Sequence, residues 1–239
     1  MKKEAERQMA QNVPAEGTGS FAERAANRGQ AAQAAEGEEK KKFFSASNIA
    51  KIAMFAALTT VLYYFPKFPI SVLFPSFLEL NFSDVPALIG TFTLGPLSGT
   101  IIICIKILLK LPATTTGCVG ELSDLFCGLA LVVPAGLIYK YHRTFRGALA
   151  ALAVGTLCST GISLFTNRFI IVPAYSEMFG GIDAIAGMMT ALFPSISAEN
   201  FYSYYLPFSV LPFNLLRCLI AAVITLLCYK RISWLLNKF

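Results

Sequence analysis

The number of membrane-crossing helices depends on one stretch of the chain, Val85-Pro-Ala-Leu-Ile-Gly-Thr-Phe-Thr-Leu-Gly-Pro-Leu-Ser-Gly-Thr-Ile-Ile-Ile-Cys-Ile-Lys-Ile-Leu-Leu-Lys-Leu111. A bilayer needs about 20 apolar residues per helix, so this stretch is too long for one comfortable span and too short for two full ones. Gly95-Pro96, followed by Gly99, interrupts the apolar run. Because proline and glycine disfavour a helix interior, the stretch is either one strained helix or two short helices joined at Gly95-Pro96.

The composition is that of an integral membrane protein. Hydrophobic residues make up 55% of the chain, charged residues 14%, and the mean hydropathy is +0.60. Residues 1–42 hold 8 of the 20 basic and 7 of the 14 acidic residues, with few large apolar side chains. We therefore expect a disordered cytoplasmic tail over 1–42 and a membrane domain over 43–239. The net charge of +6 lies mainly beside the membrane and does not indicate nucleic-acid binding.

Four other segments are apolar and near the length of a span, at about residues 49–65, 121–139, 145–171 and 206–229. Short loops rich in Lys and Arg stay in the cytoplasm. All the basic clusters face that side only if residues 85–111 form two helices. We therefore predict an all-α integral membrane protein with six transmembrane helices, the second and third being short and broken at Gly95-Pro96. It would be a multi-pass protein of the cell membrane with both termini in the cytoplasm.

In this topology three segments face outward, residues 66–84, 112–120 and 173–204, and they are longer or more polar than the inner connections. Short, broken helices are tolerated in a membrane only where protein or a cavity covers them. We therefore expect a binding pocket on the outer side. The third outer segment is also expected to contain a short interfacial helix within residues 182–193.

Asn214 and Arg217 lie three residues apart in the sixth predicted helix, so both side chains point to one face. A guanidinium inside a membrane segment needs a partner or a ligand, unless it extends to the lipid headgroups. Asn167 in the fifth helix is a second amide that can both donate and accept, although it could instead join two helices. We predict that all three side chains bind the ligand.

Acidic residues precede two of the predicted helices. Glu121 and Asp124 begin the fourth helix, and Asp84 begins the second. Capping of the helix N-terminus is the favoured interpretation for these carboxylates. For Glu121 the alternatives are a hydrogen bond to ligand hydroxyls and an ion pair with Arg217.

Ala53 and Ala57 form a small-xxx-small step in the first helix, which lets another helix approach closely. That helix belongs either to this chain or to a partner.

Motifs of zinc proteases, serine hydrolases, P-loop ATPases and dinucleotide-binding enzymes are absent from the sequence. We therefore predict a protein that is not an enzyme and that has neither a metal nor a cofactor.

Five motifs follow one another along the chain: Leu78-Glu-Leu-Asn-Phe-Ser-Asp-Val-Pro, Gly95-Pro-Leu-Ser-Gly, Gly120-Glu-Leu-Ser-Asp-Leu, Pro134-Ala-Gly-Leu-Ile-Tyr-Lys and Leu211-Pro-Phe-Asn-Leu-Leu. In series they resemble the riboflavin-specific S component of energy-coupling factor (ECF) transporters. The likeness covers about residues 49–230. It implies a six-helix membrane subunit without ATPase activity. Such a subunit captures riboflavin outside the cell and docks on a transmembrane coupling subunit driven by two ATP-binding subunits.

The resemblance also assigns roles to residues. It implies that Asn167 and Asn214 contact the flavin, and that Ala53 and Ala57 dock on the coupling subunit. The family usually has Lys where this chain has Arg217, and whether the ligand is riboflavin or FMN stays open. The full set of predicted substrate-binding residues is Asn167, Asn214, Arg217, Glu121, Leu78, Leu80, Phe82 and Val119.

Two other functions fit a chain of this composition. A stand-alone facilitator for a small aromatic solute would need no partner subunit. An intramembrane enzyme is disfavoured, because no nucleophile–base or metal-binding arrangement is visible in the sequence.

Overall fold

The computed structural model describes residues 45–65, 68–69, 74–75, 78–114, 117–190 and 192–236. The predicted tail over 1–42 lies outside these residues. The chain divides into two compact units, residues 1–49 and 50–239. Of the first unit only residues 45–49 are described, and the first helix begins among them at Ala46. The cavity and the contacts discussed below belong to the second unit.

The described part of the chain is almost entirely helical. Its α-helices are α1 (Ala46–Tyr64), α2 (Asp84–Leu94), α3 (Pro96–Lys110), α4 (Val119–Tyr141), α5 (Phe145–Thr166), α6 (Val172–Phe179), α7 (Ile182–Met189), α8 (Phe201–Tyr205) and α9 (Leu211–Leu236). Two short strands, β1 (Phe68–Pro69) and β2 (Glu79–Leu80), pair antiparallel with Phe68 opposite Leu80. A 3₁₀ turn covers Leu111–Ala113, and π turns cover Asn167–Ile171 and Leu206–Val210.

Residues 85–111 form two helices, as predicted, and the break lies at Gly95. This glycine has a φ of 97° and donates its N–H to the carbonyl of Thr91, which ends α2. Pro96 then begins α3, where the fixed φ of proline suits the first turn and its missing N–H is not needed. An added Cβ on Gly95 would meet no atom within 4 Å, so the requirement for glycine here is conformational.

The all-α membrane fold is confirmed. Five helical segments of the described chain are long and apolar enough to cross a membrane, at Ala46–Tyr64, Pro96–Ala113, Val119–Tyr141, Phe145–Phe179 and Phe201–Cys228. With the 11-residue α2, they correspond to the six predicted helices. The third helix is longer than predicted, because the 3₁₀ turn extends it to 18 residues.

The predicted ends of the last two spans are wrong. The fifth helix does not stop at Ile171 but continues through a π turn into α6, and the sixth begins at Phe201 rather than Leu206. The cause is that a π turn keeps the chain helical where a proline, at 173 or 207, predicts a boundary. The short helix expected within residues 182–193 is present as α7.

Helix α4 lies at the centre of the bundle, where small residues let its neighbours approach. Gly136 of α4 packs against Thr91 of α2, and Gly155 of α5 lies against the backbone oxygen of Leu131 in α4. Close backbone approach of this kind is a common way to pack helices in membranes. The packing fixes the positions of the first turns of α2 and α4, which carry the acidic residues of the site.

Candidate functional site

A cavity of about 870 Å³, open solvent at its mouth included, lies between helices α1, α3, α4, α5, α6 and α9. The wall combines amides, charged groups and aromatic rings. Its lining residues are Tyr63, Leu78, Glu79, Asn81, Lys110, Gly120, Glu121, Ser123, Asp124, Cys127, Ser163, Asn167, Ile171, Tyr175, Phe213, Asn214 and Arg217.

A charged cluster, which consists of Asp84, Lys106, Asp124 and Arg217, lies beside the cavity, and Asp124 and Arg217 are its members that line the wall. Arg217 donates from Nε to Oδ2 of Asp84 at 2.7 Å and from Nη2 to Oδ1 of Asp84 at 3.2 Å. The same Nη2 lies 2.9 Å from Oδ1 of Asp124. Lys106, which is fully buried, donates to Oδ2 of Asp124 at 2.6 Å. Two cations thus balance two carboxylates, and each carboxylate has at least one charge-assisted hydrogen bond.

The cluster corrects the interpretation of Asp84 and Asp124 as helix caps. Ser83, the residue before α2, makes no side-chain capping hydrogen bond, and the carboxylate of Asp84 binds Arg217 instead. A buried carboxylate needs a cation and hydrogen bonds to offset its desolvation, and the guanidinium fork supplies both. Glu121, expected to contact ligand hydroxyls or Arg217, accepts a hydrogen bond from the Thr114 hydroxyl at 2.9 Å and lines the cavity.

The two predicted amides lie in the cavity wall and are held by the protein. Asn167 accepts a hydrogen bond from the Tyr205 hydroxyl at 2.7 Å and donates from Nδ2 to the carbonyl of Ser163 at 2.8 Å. Asn214 donates from Nδ2 to the carbonyl of Val210 at 2.9 Å. Asn167 is the first residue of one π turn, and Asn214 binds the last residue of the other; π turns are frequent at functional sites in helices. Both amides are buried, so their orientation is fixed before any ligand binds.

These hydrogen bonds leave part of each amide for a ligand. A primary amide has two N–H donors and an oxygen that can accept twice. Within the described part of the chain, Asn167 uses one donor through Ser163, or shares its donors between the carbonyl and hydroxyl of that serine. Among the described residues, Asn214 binds through one N–H and so keeps its oxygen and its other N–H. The wall can therefore pair with a ligand edge that alternates acceptors and donors.

The structure brings together some of the predicted substrate-binding residues and separates others. Leu78 lines the cavity with the amides, Arg217 and Glu121. Leu80 is buried against Phe213 and so supports a lining residue from behind. Val119 packs against the hydrophobic cluster around Phe201 rather than in the cavity wall. Phe82 is half-buried and lies outside the lining.

Sequence reasoning missed Lys106 and the aromatic residues near it. The ammonium of Lys106 lies 4.8 Å from the ring centre of Tyr63, and that of Lys110 lies 4.5 Å from the ring centre of Tyr64. The sequence does indicate an ion pair at this position, because Lys106 interrupts an otherwise apolar helix and a cation there requires a buried partner. Its spacing from Asp124 along the chain gave no indication of which carboxylate that partner would be.

The side chains of α1 divide into two faces. Ile52, Ala56 and Thr59 are buried, whereas Ala53 and Ala57 are exposed. The exposed face also carries large apolar side chains, Met54, Leu58 and Val61. The small-xxx-small step therefore points away from the described helices of this chain.

Comparison with known proteins agrees with this architecture. The profile of the family described as "ECF transporter, substrate-specific component" matches residues 47–229. The riboflavin transporter RibU of Staphylococcus aureus (strain TCH60) is 29% identical over 202 residues, which cover 84% of this chain and 98% of that protein. The riboflavin transporter RibU of Lactococcus lactis subsp. cremoris (strain NZ9000) is 31% identical over 184 residues, covering 72% and 86%.

A solved structure points to the same family. The chain in "Structure and mechanism of the S component of a bacterial ECF transporter" is 29% identical with a TM-score of 0.61, covering 79% of this chain and 96% of that one. The matched relatives are named as transporters, in agreement with the prediction that this chain is not an enzyme. A family profile over most of the chain and a shared fold lead to one conclusion: this multi-pass membrane protein belongs to the family of substrate-specific components of ECF transporters.

Proposed function

We propose that this chain is the riboflavin-binding subunit of an ECF-type importer. One observation carries the proposal: Asn167, in the π turn after α5, lines the same cavity as Asn214 and Arg217, which both lie on α9. The relatives named as riboflavin transporters share this membrane domain over most of their length, which supports the same ligand here.

The wall of the cavity suits a flavin chemically. The pyrimidine edge of the flavin ring alternates carbonyl oxygens with ring nitrogens, and two oriented amides offer matching donors and acceptors. Leu78, Tyr175 and Phe213 give apolar and aromatic surface for the flat ring system. The hydroxyls of the ribityl chain would meet Glu121 and Arg217, which provide an acceptor and donors.

The cavity would open to the outside of the cell. Its lining takes Leu78, Gly120 and Tyr175 from the three segments that the positive-inside rule places outside. Both termini would then lie in the cytoplasm. Riboflavin would be captured from the medium without any contribution from a nucleotide.

Delivery would depend on partner subunits. The sequence has no P-loop, so an ATP-driven import step must use ATPases on other chains. We propose that the exposed face of α1, with Ala53 and Ala57, docks on a transmembrane coupling subunit that works with two ATP-binding subunits. Small side chains on this face would let a partner helix approach closely.

The ligand assignment is tested by titrating the detergent-purified protein with riboflavin in the absence of nucleotide. We expect quenching of flavin fluorescence that saturates at one riboflavin per chain, and a yellow protein when cells are grown with the vitamin. Thiamine and biotin serve as competitors that should not reverse the quenching. Binding of either of these vitamins without binding of riboflavin would overturn the assignment.

A further inference from the structure

We propose that Arg168, stacked on the ring of Tyr202, forms a binding site for the phosphate group of an anionic phospholipid at the membrane surface. The site lies outside the cavity, because neither residue is among the described residues that line it. It is therefore independent of the ligand that the cavity takes.

Two separate segments of the chain bring this pair together. Arg168 lies in the π turn that follows α5, and Tyr202 lies in α8. The guanidinium carbon is 3.5 Å from the centre of the tyrosine ring. A separation this short requires the guanidinium to lie face to face with the ring, because an edge-on group would clash with it. The N–H groups at the guanidinium edge therefore point away from the ring.

The ring of Tyr202 is a fixed platform for the cation. It packs against the hydrophobic cluster around Phe201, and the two rings meet edge to face with their centres 5.5 Å apart. Phe201 is fully buried, whereas Tyr202 is half-buried and keeps one face for Arg168. Stacking on a held ring restricts the guanidinium before a ligand binds, which reduces the entropy lost on binding.

The positive charge of Arg168 is not compensated within the described part of the chain. Its side chain is exposed and forms neither an ion pair nor a hydrogen bond with a described residue. Arg217, by contrast, is shared between the carboxylates of Asp84 and Asp124. Arg168 can therefore donate two parallel N–H groups to a phosphate, which is the geometry in which arginine binds this anion most strongly.

The position of Arg168 along its helix places it at the level of the lipid phosphates. Helix α5 has 22 residues, begins at Phe145 beside the exposed Arg143 and Arg146, and ends two residues before Arg168. At about 1.5 Å per residue, Arg168 lies roughly 35 Å from Phe145 along the axis. The hydrocarbon core of a bilayer is about 30 Å thick. In the topology proposed above, Arg168 thus reaches the headgroups of the outer leaflet.

The aromatic residues around Arg168 favour a lipid over a soluble phosphate. Phe165 precedes it by three residues and so shares its face of the helix. Phe165 and Phe169 have ring centres 4.8 Å apart and are 56% and 62% exposed. Such rings concentrate at the membrane interface, where glycerol and acyl chains would pack on them. A soluble phosphate would gain nothing from this surface.

The lipid is expected to be anionic rather than zwitterionic. The phosphate of a choline lipid is accompanied by its own cation, which competes with the guanidinium and is repelled by it. The phosphate of phosphatidylglycerol has no such neighbour. Basic residues next to transmembrane helices bind anionic headgroups in the same way.

The test is photo-crosslinking of the detergent-purified protein with phosphatidylglycerol or phosphatidylcholine, each carrying the same diazirine near the head of one acyl chain. Mass spectrometry of peptides maps the labelled residues. We expect phosphatidylglycerol to label residues 165–169 at least about fivefold more than phosphatidylcholine does. Soluble glycerol 3-phosphate and inorganic phosphate at millimolar concentration should not reduce this labelling. Equal labelling by the two lipids, or displacement by either soluble phosphate, would overturn the inference.

Variants then assign the lipid to Arg168. Arg168→Gln removes the charge with little change in size and should lower phosphatidylglycerol labelling of residues 165–169 to the level of phosphatidylcholine. Arg168→Lys keeps the charge without the planar fork and should give an intermediate value. Arg143→Gln makes the same chemical change on an exposed residue at the other end of α5 and should leave labelling of residues 165–169 unchanged.

The outcomes distinguish a site from a general attraction of lipid to a basic protein. Equal loss of labelling at residues 165–169 in Arg168→Gln and Arg143→Gln would show that only net charge matters, which overturns the inference. A cooperative thermal transition in detergent shows that each variant is folded. If Arg168→Gln does not fold, the comparison of the two lipids and the soluble phosphates on the wild-type protein still supports or overturns the site.

Discussion

The charged cluster beside the cavity and the exposed face of α1 differ in where their side chains find contacts. In the cluster, three buried ionisable groups and the partly buried Arg217 bind one another at 2.6 to 3.2 Å. On α1, alanines and large apolar side chains point outward, and 17% of its span is buried compared with 33–39% for the four longer or more apolar spans. The cluster is complete within the chain, whereas the α1 face is left for lipid or another protein.

Because of this difference, we expect two kinds of mutational defect, one in ligand binding and one in assembly with partner subunits. A substitution in the cavity wall should change the properties of the isolated chain, because the groups involved meet only each other and the ligand. A substitution on the α1 face should leave the isolated chain unchanged and alter only its assembly with partners. Binding and coupling should therefore be separable by mutation.

The largest effect is expected for Arg217→Met, which removes the cation shared by Asp84 and Asp124. Breaking a buried ion pair from one side costs about 3–5 kcal/mol, so both folding stability and riboflavin binding should be lost. Thermal unfolding in detergent and fluorescence titration measure the two losses. Arg217→Lys keeps the charge and should be much milder. A Met variant with the wild-type melting temperature and affinity would show that the cluster is not required.

Next in size are Asn214→Ala and Asn167→Ala. Leaving a polar edge of the ligand unpaired costs about 1–3 kcal/mol, or roughly ten- to hundredfold in riboflavin affinity. Affinity should fall by more than stability does. Asn200→Ala is the matched control, since among the described residues that amide bonds to its own loop, at Ser195 and Ser197. Equal losses of affinity and stability in the cavity variants would indicate structural hydrogen bonds instead.

A smaller effect is expected for Tyr205→Phe, which deletes the hydroxyl that orients the Asn167 amide. Loss of one such hydrogen bond costs about 1 kcal/mol, so riboflavin should bind about three- to tenfold more weakly. Tyr202→Phe is the control, because that ring stacks on Arg168 at 3.5 Å and is not among the described residues that line the cavity. An unchanged affinity in Tyr205→Phe would mean that the amide is held without the hydroxyl.

No effect on binding is expected for Ala53→Leu and Ala57→Leu, although both should abolish transport. The added bulk would keep the coupling subunit from approaching, so riboflavin uptake and co-purification with that subunit should be lost. Met54→Leu changes the neighbouring exposed position without adding bulk and should transport normally. Concentrative uptake by this chain alone in ATP-free vesicles would contradict the whole coupling proposal.

Sequence alone predicted the features that depend on local chemistry. Gly95-Pro96 identified the break between α2 and α3, because each residue has its own backbone preference at a helix end. Asn167, Asn214 and Arg217 stood out because polar groups inside membrane helices need partners. Their convergence on one cavity followed from the predicted outer pocket.

The ion pairs were not predictable in the same way. Asp84 and Arg217 are 133 residues apart, and nothing in their local sequence specifies that they meet. A carboxylate in the first turn of a helix looks the same in sequence whether it caps that helix or binds a distant cation. The π turns also have no compositional signature. For this reason the sequence did not indicate that two helices extend across Pro173 and Pro207.

At the π turn Asn167–Ile171, the number of residues matters more for the structure than which residues they are. Such a turn accommodates one residue more than an ordinary helical turn, as its bond from Val172 N–H to the Asn167 carbonyl shows. Each residue of an α-helix advances the chain by about 100° around the axis. Deleting one residue here would therefore rotate all of α6 by that angle and carry Tyr175 out of the cavity wall. Among homologous chains, conservative exchanges within these five positions should be common and gaps should be absent.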